Sequence, residues 1–239
     1  VFFYTAGVAY GNGEKSKDRL KYLQAFLKDP KLPGTLAAKI HSTLGHHYET
    51  IGKFKDANKE FAQIGSITNW MSVGSFENIS ASGYDKGYEP IDNASVTKTF
   101  KNKYGANVNW FTLKDSRTDK WVDNEYYFYA GNSIIYSQTF VNSPIEQKVQ
   151  FRIGVSGSLK MWLNDNLIAS EIEERNNGTD SYWIGVTLKK GYNRILIQIG
   201  ESDANNSNFM LRITDDNGNN IQGLTFDDKK DQVYDKGSV

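Results

Sequence analysis

Histidine and cysteine, which often carry nucleophilic and metal chemistry, are scarce in this sequence. It contains no cysteine, and its three histidines are His41, His46 and His47. All three fall on one predicted helix, where the adjacent His46 and His47 point about 100° apart, and no His-Glu-x-x-His motif occurs. The chain therefore has no thiolate metal site, and the region beyond this helix has no histidine for a catalytic triad.

Acidic residues leave hydrolytic chemistry open. Glu171, Glu173 and Glu174 could supply the carboxylate pair of a glycoside hydrolase, because such pairs are defined by their separation in space. Their segment is polar, and we interpret it as a solvated loop. We therefore predict that this chain is not an enzyme, and we keep a carboxylate pair as an alternative.

Oxygen-rich clusters also suggest Ca²⁺ binding, which uses carboxylate, amide and hydroxyl ligands. One cluster is 215–219, which is better explained as a hairpin turn because Asp216-Asn217-Gly218 is a strong turn sequence. The other cluster comprises Asp203, Asn205, Asn206 and Ser207. We predict no cofactor, with Ca²⁺ as the ion that these clusters would hold.

Aromatic side chains are the remaining residues with a recognisable chemistry. Alternation along two predicted strands places Trp162 and Trp183 on the faces opposite to their apolar neighbours. An exposed indole ring can stack on the apolar C–H face of a sugar. The candidate ligand-binding residues are Trp162, Trp183, Tyr192 and, in the predicted loop 77–93, Tyr84 and Tyr88. The alternative is that a loop or the helical segment covers both tryptophans, since large aromatic residues are usually buried.

The elements that must position these residues follow from the spacing of apolar side chains. From residue 151 onward the apolar residues alternate with polar ones, which is typical of strands with one buried face. Asn, Asp and Gly punctuate these segments, so we expect antiparallel strands that form two packed sheets. The alternating apolar positions are Phe151, Ile153, Val155, Leu159, Met161, Leu163, Ile184, Val186, Leu188, Ile195, Ile197 and Ile199.

The first 65 residues have a helical period instead. Ala37, Ile40, Leu44, Tyr48 and Ile51 recur at intervals of three and four, with Thr35 as a candidate N-cap. After Gly52-Lys53 the spacing returns at Ala57, Phe61 and Ile64. This pattern predicts a helix–turn–helix hairpin.

The hairpin resembles the tetratricopeptide repeat. Residues at that family's spacing are Leu44-Gly45, Tyr48, Gly52, Ala57 and Phe61, and Gly7-x-x-Tyr10 echoes Gly45-x-x-Tyr48 as an earlier, degenerate unit. The resemblance implies that a protein or peptide binds in a groove that includes His41 and Tyr48. The alternative is a structural spacer.

The later segments are similar to galactose-binding-like domains of bacterial envelope proteins. The similar segments, in order, are Trp70-x-x-x-Gly74-x-Phe76, Lys160-Met-Trp-Leu-Asn164-Asp, Leu188-Lys-Lys-Gly191-Tyr-Asn193 and Phe209-Met-Leu-Arg212-Ile-Thr-Asp215. This resemblance implies a jelly-roll β-sandwich, a fold that hosts many unrelated functions.

Charge and hydropathy exclude two classes of partner. The 28 basic and 28 acidic residues balance, so the basic excess of a nucleic-acid-binding protein is missing. No apolar run of about 18 residues occurs, so we predict no transmembrane segment. The chain begins at Val1 without a leader sequence, and we expect it to be a fragment of a longer exported protein.

Together these observations predict an α+β multidomain protein. Residues 1–65 form a tetratricopeptide-like helical region, 66–226 an antiparallel jelly-roll β-sandwich, and 227–239 a polar tail or linker. We predict a non-catalytic binding or scaffolding fragment of a larger bacterial protein of the periplasm or cell envelope, with a protein partner. The alternative is a carbohydrate-binding module that serves a glycan-acting enzyme, with a glycan as the partner.

Overall fold

A computed structural model describes residues 14–114, 117–128, 131–202, 206–229 and 231–236 of the chain. Within these residues, three α-helices precede the strands: α1 Glu14–Phe26, α2 Gly34–Thr50 and α3 Phe54–Gln63. The longer strands are β1 Met71–Glu77, β6 Ser133–Ser143, β7 Gln147–Leu163, β8 Asn166–Asn176, β9 Tyr182–Leu188, β10 Gly191–Glu201 and β11 Asn208–Thr214. The shorter strands are β2 Thr99–Lys101, β3 Asn107–Asn109, β4 Phe111–Thr112, β5 Val122–Asp123 and β12 Thr225–Asp227.

Strand β7 is the centre of the sheet. Its first half lies between β9 and β11, and its second half lies between β8 and β10. Strand β10 continues to β6, which pairs with β1 and β12. In the described part of the chain, ten strands form one antiparallel sheet that curls into a half-barrel, while β2 and β3 pair separately. The predicted antiparallel architecture is confirmed, and the curled sheet is consistent with a β-sandwich.

The inner face of the sheet carries the main apolar core. Odd-numbered residues of β7 point inward along its whole length, because successive side chains of a strand alternate between faces. Strands β10 and β11 contribute their odd-numbered residues to the same cluster. Its members on these three strands are Val149, Phe151, Ile153, Val155, Leu159, Met161, Leu163, Ile195, Ile197, Ile199, Phe209, Leu211 and Ile213. The alternation predicted for 151–199 is therefore confirmed.

The outer face is covered in two places. Helices α2 and α3 pack on Met210 of β11 through Ala38, Ala57 and Phe61. Elsewhere, the segment between β1 and β4 packs on Trp162 and Leu196, and it contributes Tyr88, Ile91, Val96, Phe100, Val108 and Trp110. Both tryptophan-bearing strands therefore have an outer face, but only part of that face meets solvent.

The predicted helical hairpin is present, whereas a tetratricopeptide-like repeat is not evident among the three described helices. Gly45 permits the close approach of α2 and α3, since a Cβ atom at this position would lie 2.4 Å from the Phe61 ring. Pro33, and not Thr35, occupies the N-cap position of α2. The earlier unit at Gly7 and Tyr10 lies outside the described residues.

Two local predictions were wrong. The aromatic segment 125–129, whose composition predicts a strand, begins instead as a 3₁₀ helix at Asn124–Tyr126. The polar segment around Glu171, interpreted as a loop, is part of β8. Among the described strands β8 pairs with β7 alone, so it lies at the sheet edge and can carry charged residues. In the polar tail, the hydroxyl of Tyr234 donates to the Asp165 carboxylate, so the described part of this segment is attached to the sheet.

Candidate functional site

Trp183 lies on the outer face of β9 and is 61% exposed. Its indole Nε1 donates a hydrogen bond of 2.7 Å to the backbone carbonyl of Asp180. Arg152, its direct neighbour on β7, places the guanidinium carbon 4.0 Å from the ring centroid. The hydrogen bond and the cation–π contact fix the ring in one orientation, with Arg152 on one side of it. Trp183 is thus a pre-positioned aromatic surface that is open to solvent.

An open groove of about 310 Å³ continues along the outer face of β7 and β9 from this position. Gly185 leaves room there, since a Cβ atom would only reach ordinary contact distance, 3.5 Å, from the Gln150 amide. The Gln150 amide donates to the Asp216 carboxylate at 2.9 Å, which orders one wall of the groove. The groove is lined by Lys148, Val149, Gln150, Gly185, Val186, Thr187 and Asp216. It therefore offers hydrogen-bond donors and acceptors beside an aromatic ring.

A buried polar network lies under the ring. Arg152 donates to the Thr214 hydroxyl at 2.9 Å and to the Asp216 carbonyl at 3.1 Å. Its cross-strand neighbour Arg212 donates to the Asp180 carboxylate, and both partners are almost fully buried. Because the Asp180 carbonyl also holds the Trp183 indole, this ion pair supports the aromatic surface from below.

Burial is the main cause of the pKa shifts of Asp180 and Arg212. It raises the pKa of the Asp180 carboxyl above its ordinary value, and the positive charges of Arg212 and Arg152 oppose this effect. Burial likewise lowers the pKa of Arg212, against the attraction of Asp180. The pair is therefore costly to bury, and it is held by hydrogen bonds to carbonyls on both sides of Arg212.

Trp162 is on the outer face, as predicted, but it is only 7% exposed and packs under the segment between β1 and β4. Tyr84 is also buried, and its hydroxyl donates to the Leu159 carbonyl at 3.2 Å. Tyr88 is half-buried and donates to the Glu77 carbonyl at 2.6 Å. These three residues attach the loop 77–93 to the sheet, and for Trp162 the alternative kept open from the sequence, a ring covered by a loop, is the one observed.

The structure does not gather the predicted ligand-binding residues into one site. Trp162 is ten residues from Arg152 along β7, which corresponds to roughly 33 Å of extended strand. Tyr192 is half-buried at the start of β10, where it forms a bridge with Tyr234. Of the predicted set, Trp183 is the residue that lies next to the groove, two residues before Gly185 on the same face of β9.

The two predicted residues of the helical groove make contacts between helices. His41 Nδ1 lies 2.7 Å from the Glu60 carboxylate on α3, and the Tyr48 hydroxyl accepts a hydrogen bond of 3.1 Å from Gln24 on α1. Both side chains therefore help to hold the helices together.

No arrangement of three or more metal-ligating His, Cys, Asp or Glu residues occurs in the described ranges. Asp203 and Asn205 lie outside those ranges. The Asp215 carboxylate accepts hydrogen bonds from the backbone and side-chain nitrogens of Asn219, at 2.8 and 2.9 Å, as expected for a turn. Glu174 accepts bonds from Ser202, and Glu173 pairs with Arg175. No described helix is long and apolar enough to cross a membrane.

Sequence reasoning missed the residues that support and flank Trp183. Arg152 and Arg212 occupy polar positions of strongly alternating strands, so they belong to the outer face. An arginine at such a position, next to a cross-strand tryptophan, is a signal for a stacked pair. The alternation could have assigned the face, but the pairing register of β7 with β9 was needed to bring the two together.

No protein-family model and no curated protein matches this chain. Among solved structures, β-glucosidase from Kluyveromyces marxianus in complex with glucose is 22% identical over 34% of this chain and 11% of its own, with a TM-score of 0.28. The family 35 carbohydrate binding module from Clostridium thermocellum is 18% identical over 36% of this chain and 76% of its own, with a TM-score of 0.27. The PA14 domain of the MpAFP antifreeze protein is 14% identical over 34% and 40%, with a TM-score of 0.25.

This chain thus spans 11% of the length of the β-glucosidase. TM-scores of this size support no inference about activity or ligand. The structural neighbours include a carbohydrate-binding module and a PA14 domain, and the argument for a function has to come from the site itself.

Proposed function

We propose that this chain is a non-catalytic carbohydrate-binding module of an exported bacterial protein, with Trp183 as its main contact. The observation that carries the proposal is an indole ring that is 61% exposed and yet fixed by the Asp180 carbonyl and the Arg152 guanidinium. We also propose that the sheet has a galactose-binding-like jelly-roll fold.

An immobilised ring is well suited to binding a sugar. Large aromatic side chains bury much apolar area at a small cost in conformational entropy, and the two contacts of Trp183 remove most of the remaining freedom before binding. Polar groups of the adjacent groove, at Gln150, Thr187 and Asp216, can bond to hydroxyl groups of the same ligand. Stacking supplies affinity, and the polar wall supplies orientation.

The test is affinity electrophoresis and calorimetry of the whole chain with a panel of soluble polysaccharides. Trp183→Ala is expected to weaken the binding of any positive polysaccharide by at least about tenfold, as expected when a central aromatic contact is truncated. Tyr104→Ala is the matched control, because Tyr104 is 71% exposed and lies outside the groove. Equal affinities of the Trp183→Ala variant and the original chain, or no binding to any glycan, would contradict the proposal.

A second candidate is protein binding through the helices, which retains a tetratricopeptide-like role for them. The turn between α2 and α3 exposes two large apolar side chains, with Ile51 48% and Phe54 60% exposed. Such residues are common contacts in protein interfaces. A photo-crosslinking amino acid at position 54, in cells that make the chain, should give one specific crosslinked protein, and the same probe at Tyr104 should not. Identical products from both positions would reject this candidate.

A further inference from the structure

We infer that the groove beside Trp183 selects anionic saccharides, whose sugars carry carboxylate or sulfate groups, over neutral and amino sugars. This inference rests on the proposed carbohydrate-binding function and specifies its ligand class. It follows from the charges under and along the groove. The proposed function alone does not require a ligand of any particular charge.

Two buried guanidinium groups lie under the Trp183 ring. Arg152 and Arg212 are both buried, and within the described ranges the carboxylate that bonds this pair is that of Asp180, which accepts from Arg212. The cations that act on Asp180 are Arg212, Arg152 and Lys39 of α2. Buried charges are poorly screened by solvent, so the excess positive charge extends to the surface above them.

The Arg152 guanidinium does not use all of its hydrogen-bond donors. Nη1 of Arg152 is buried and has no hydrogen-bond partner among the described residues, although Nε and Nη2 of the same group are bonded. A guanidinium with an unused donor is incompletely compensated, because buried cations normally bond through most of their N–H groups. An anion bound on the far side of the Trp183 ring would compensate this charge through space.

The rim of the groove carries an exposed lysine. Lys148 is exposed and lies on the same face of β7 as Arg152, four residues away, or about 13 Å along the strand. The Asp216 carboxylate lines the same groove and keeps its negative charge when it accepts the neutral Gln150 amide, so it offsets one of the positive charges around the groove. A short oligosaccharide that stacks on Trp183 can reach Lys148 with an acidic group. The groove therefore presents an aromatic ring and an ammonium group in line.

The experiment compares four polymers with the whole chain by calorimetry at low and high NaCl concentration: polygalacturonate, dextran sulfate, neutral dextran and chitosan. We expect at least one anionic polymer to bind about tenfold or more tightly than dextran and chitosan, and its affinity to fall as salt rises. The carboxylated and sulfated polymers separate the two sources of negative charge.

Two lysine variants test the assignment. Lys148→Gln should weaken the binding of the anionic polymer by about threefold to tenfold and that of a neutral polymer by less, so the ratio of the two affinities should fall. Lys101→Gln is the matched control, because Lys101 is an exposed lysine on β2, outside the groove. Trp183→Ala should weaken the binding of the anionic polymer as well.

The possible outcomes separate the two proposals. Trp183-dependent binding that is equal for neutral and anionic polymers, or that favours chitosan, would overturn the inference and leave the proposed function in place. No glycan binding at all would overturn the proposed function. Binding of an anionic polymer that neither Trp183→Ala nor Lys148→Gln weakens would be non-specific charge attraction. It would overturn both the inference and the proposed function.

Discussion

At the residue scale, three buried arginines attach irregular segments to the outer face of the sheet. Arg212 bonds the carbonyl at the end of α3, Arg194 bonds the carbonyls of Pro90 and Ile91, and Arg152 bonds that of Asp216. Each guanidinium offers five donors in a fixed, planar arrangement, so one side chain can satisfy several carbonyls that have no partner in a sheet or helix. These arginines are therefore structural, and Arg152 also supports Trp183.

The first prediction concerns Arg212→Met. This change leaves the Asp180 carboxylate buried without its cation and the Ile64 carbonyl without its donor, so the free energy of unfolding should fall by about 3–5 kcal/mol. Urea unfolding measures it. In the double variant Arg212→Met/Asp180→Asn part of the loss should be recovered, since the buried carboxylate is then replaced by a neutral amide. Arg175→Met, an exposed arginine, is the control and should leave the stability unchanged. A single variant as stable as the original chain would refute the role of the ion pair.

The second prediction separates the two tryptophans. Trp162→Ala should lower the free energy of unfolding by about 3–5 kcal/mol, because it removes a buried ring and leaves a cavity. Trp183→Ala should cost only about 1–2 kcal/mol, since the stacked contact with Arg152 and one exposed hydrogen bond to the Asp180 carbonyl are lost. Urea titrations of both variants provide the comparison. Similar losses for the two would show that Trp183 is a core residue.

At the scale of elements, the described C-terminal segment is a strap across the ends of β6 and β10. Asp231 accepts bonds from Ser95 and from the Val96 backbone, and Tyr234 bonds the carboxylate in the turn between β7 and β8. The segment thus links the 92–96 loop to that turn. Its attachment depends on polar contacts, so it should respond to pH.

The third prediction concerns the change in the free energy of unfolding with pH. Burial raises the pKa of Tyr234 to about 12, with Arg194 opposing and the Asp165 bond adding to the shift. Because the folded pKa exceeds the ordinary value of 10.0, the neutral hydroxyl contributes stability that is complete below pH 10 and is lost as pH rises from 10 to 12. Urea unfolding of the original chain and of Tyr234→Phe should therefore converge over this interval.

Tyr126→Phe is the control for this comparison, because Tyr126 is 71% exposed. The difference between this variant and the original chain should be constant between pH 10 and 12. A constant difference for Tyr234→Phe as well would mean that folding does not raise the pKa of the Tyr234 hydroxyl.

At the scale of the whole molecule, the helices and the sheet share several contacts. The Gly34 backbone nitrogen at the start of α2 donates to the Asn217 carbonyl at 2.9 Å, in the turn after β11. Phe61 and Ile64 of the helical region belong to the same cluster as Met210. The predicted boundary at residue 65 is thus a change of secondary structure across which many contacts run.

The fourth prediction is that both parts unfold together. Helical circular dichroism and tryptophan fluorescence should give coincident urea transitions, as expected for one cooperative unit. Gly34→Ala should shift both transitions to lower urea, because the new Cβ atom would lie 2.2 Å from the Gly218 carbonyl oxygen. Gly178→Ala, where a Cβ atom meets nothing within 4 Å, is the control. Two separate transitions would show that the helices and the sheet are independent.

The sequence by itself determined the helical class of the first region, most of the strands, and the faces of the residues on those strands. Alternation assigned Met161 and Trp162 to opposite faces, and the period of three to four predicted the hairpin of α2 and α3. These properties depend on neighbours a few residues away, which the local pattern records.

Only the tertiary structure decided which outward residues reach solvent. Trp162 and Trp183 have the same local pattern, yet the segment between β1 and β4 covers the first and leaves the second exposed. The stacking of Arg152 on Trp183 likewise depends on the register of β7 with β9. Cover and register are set by residues distant along the chain, whose total packing energy chooses one arrangement, and no short stretch of sequence contains that information.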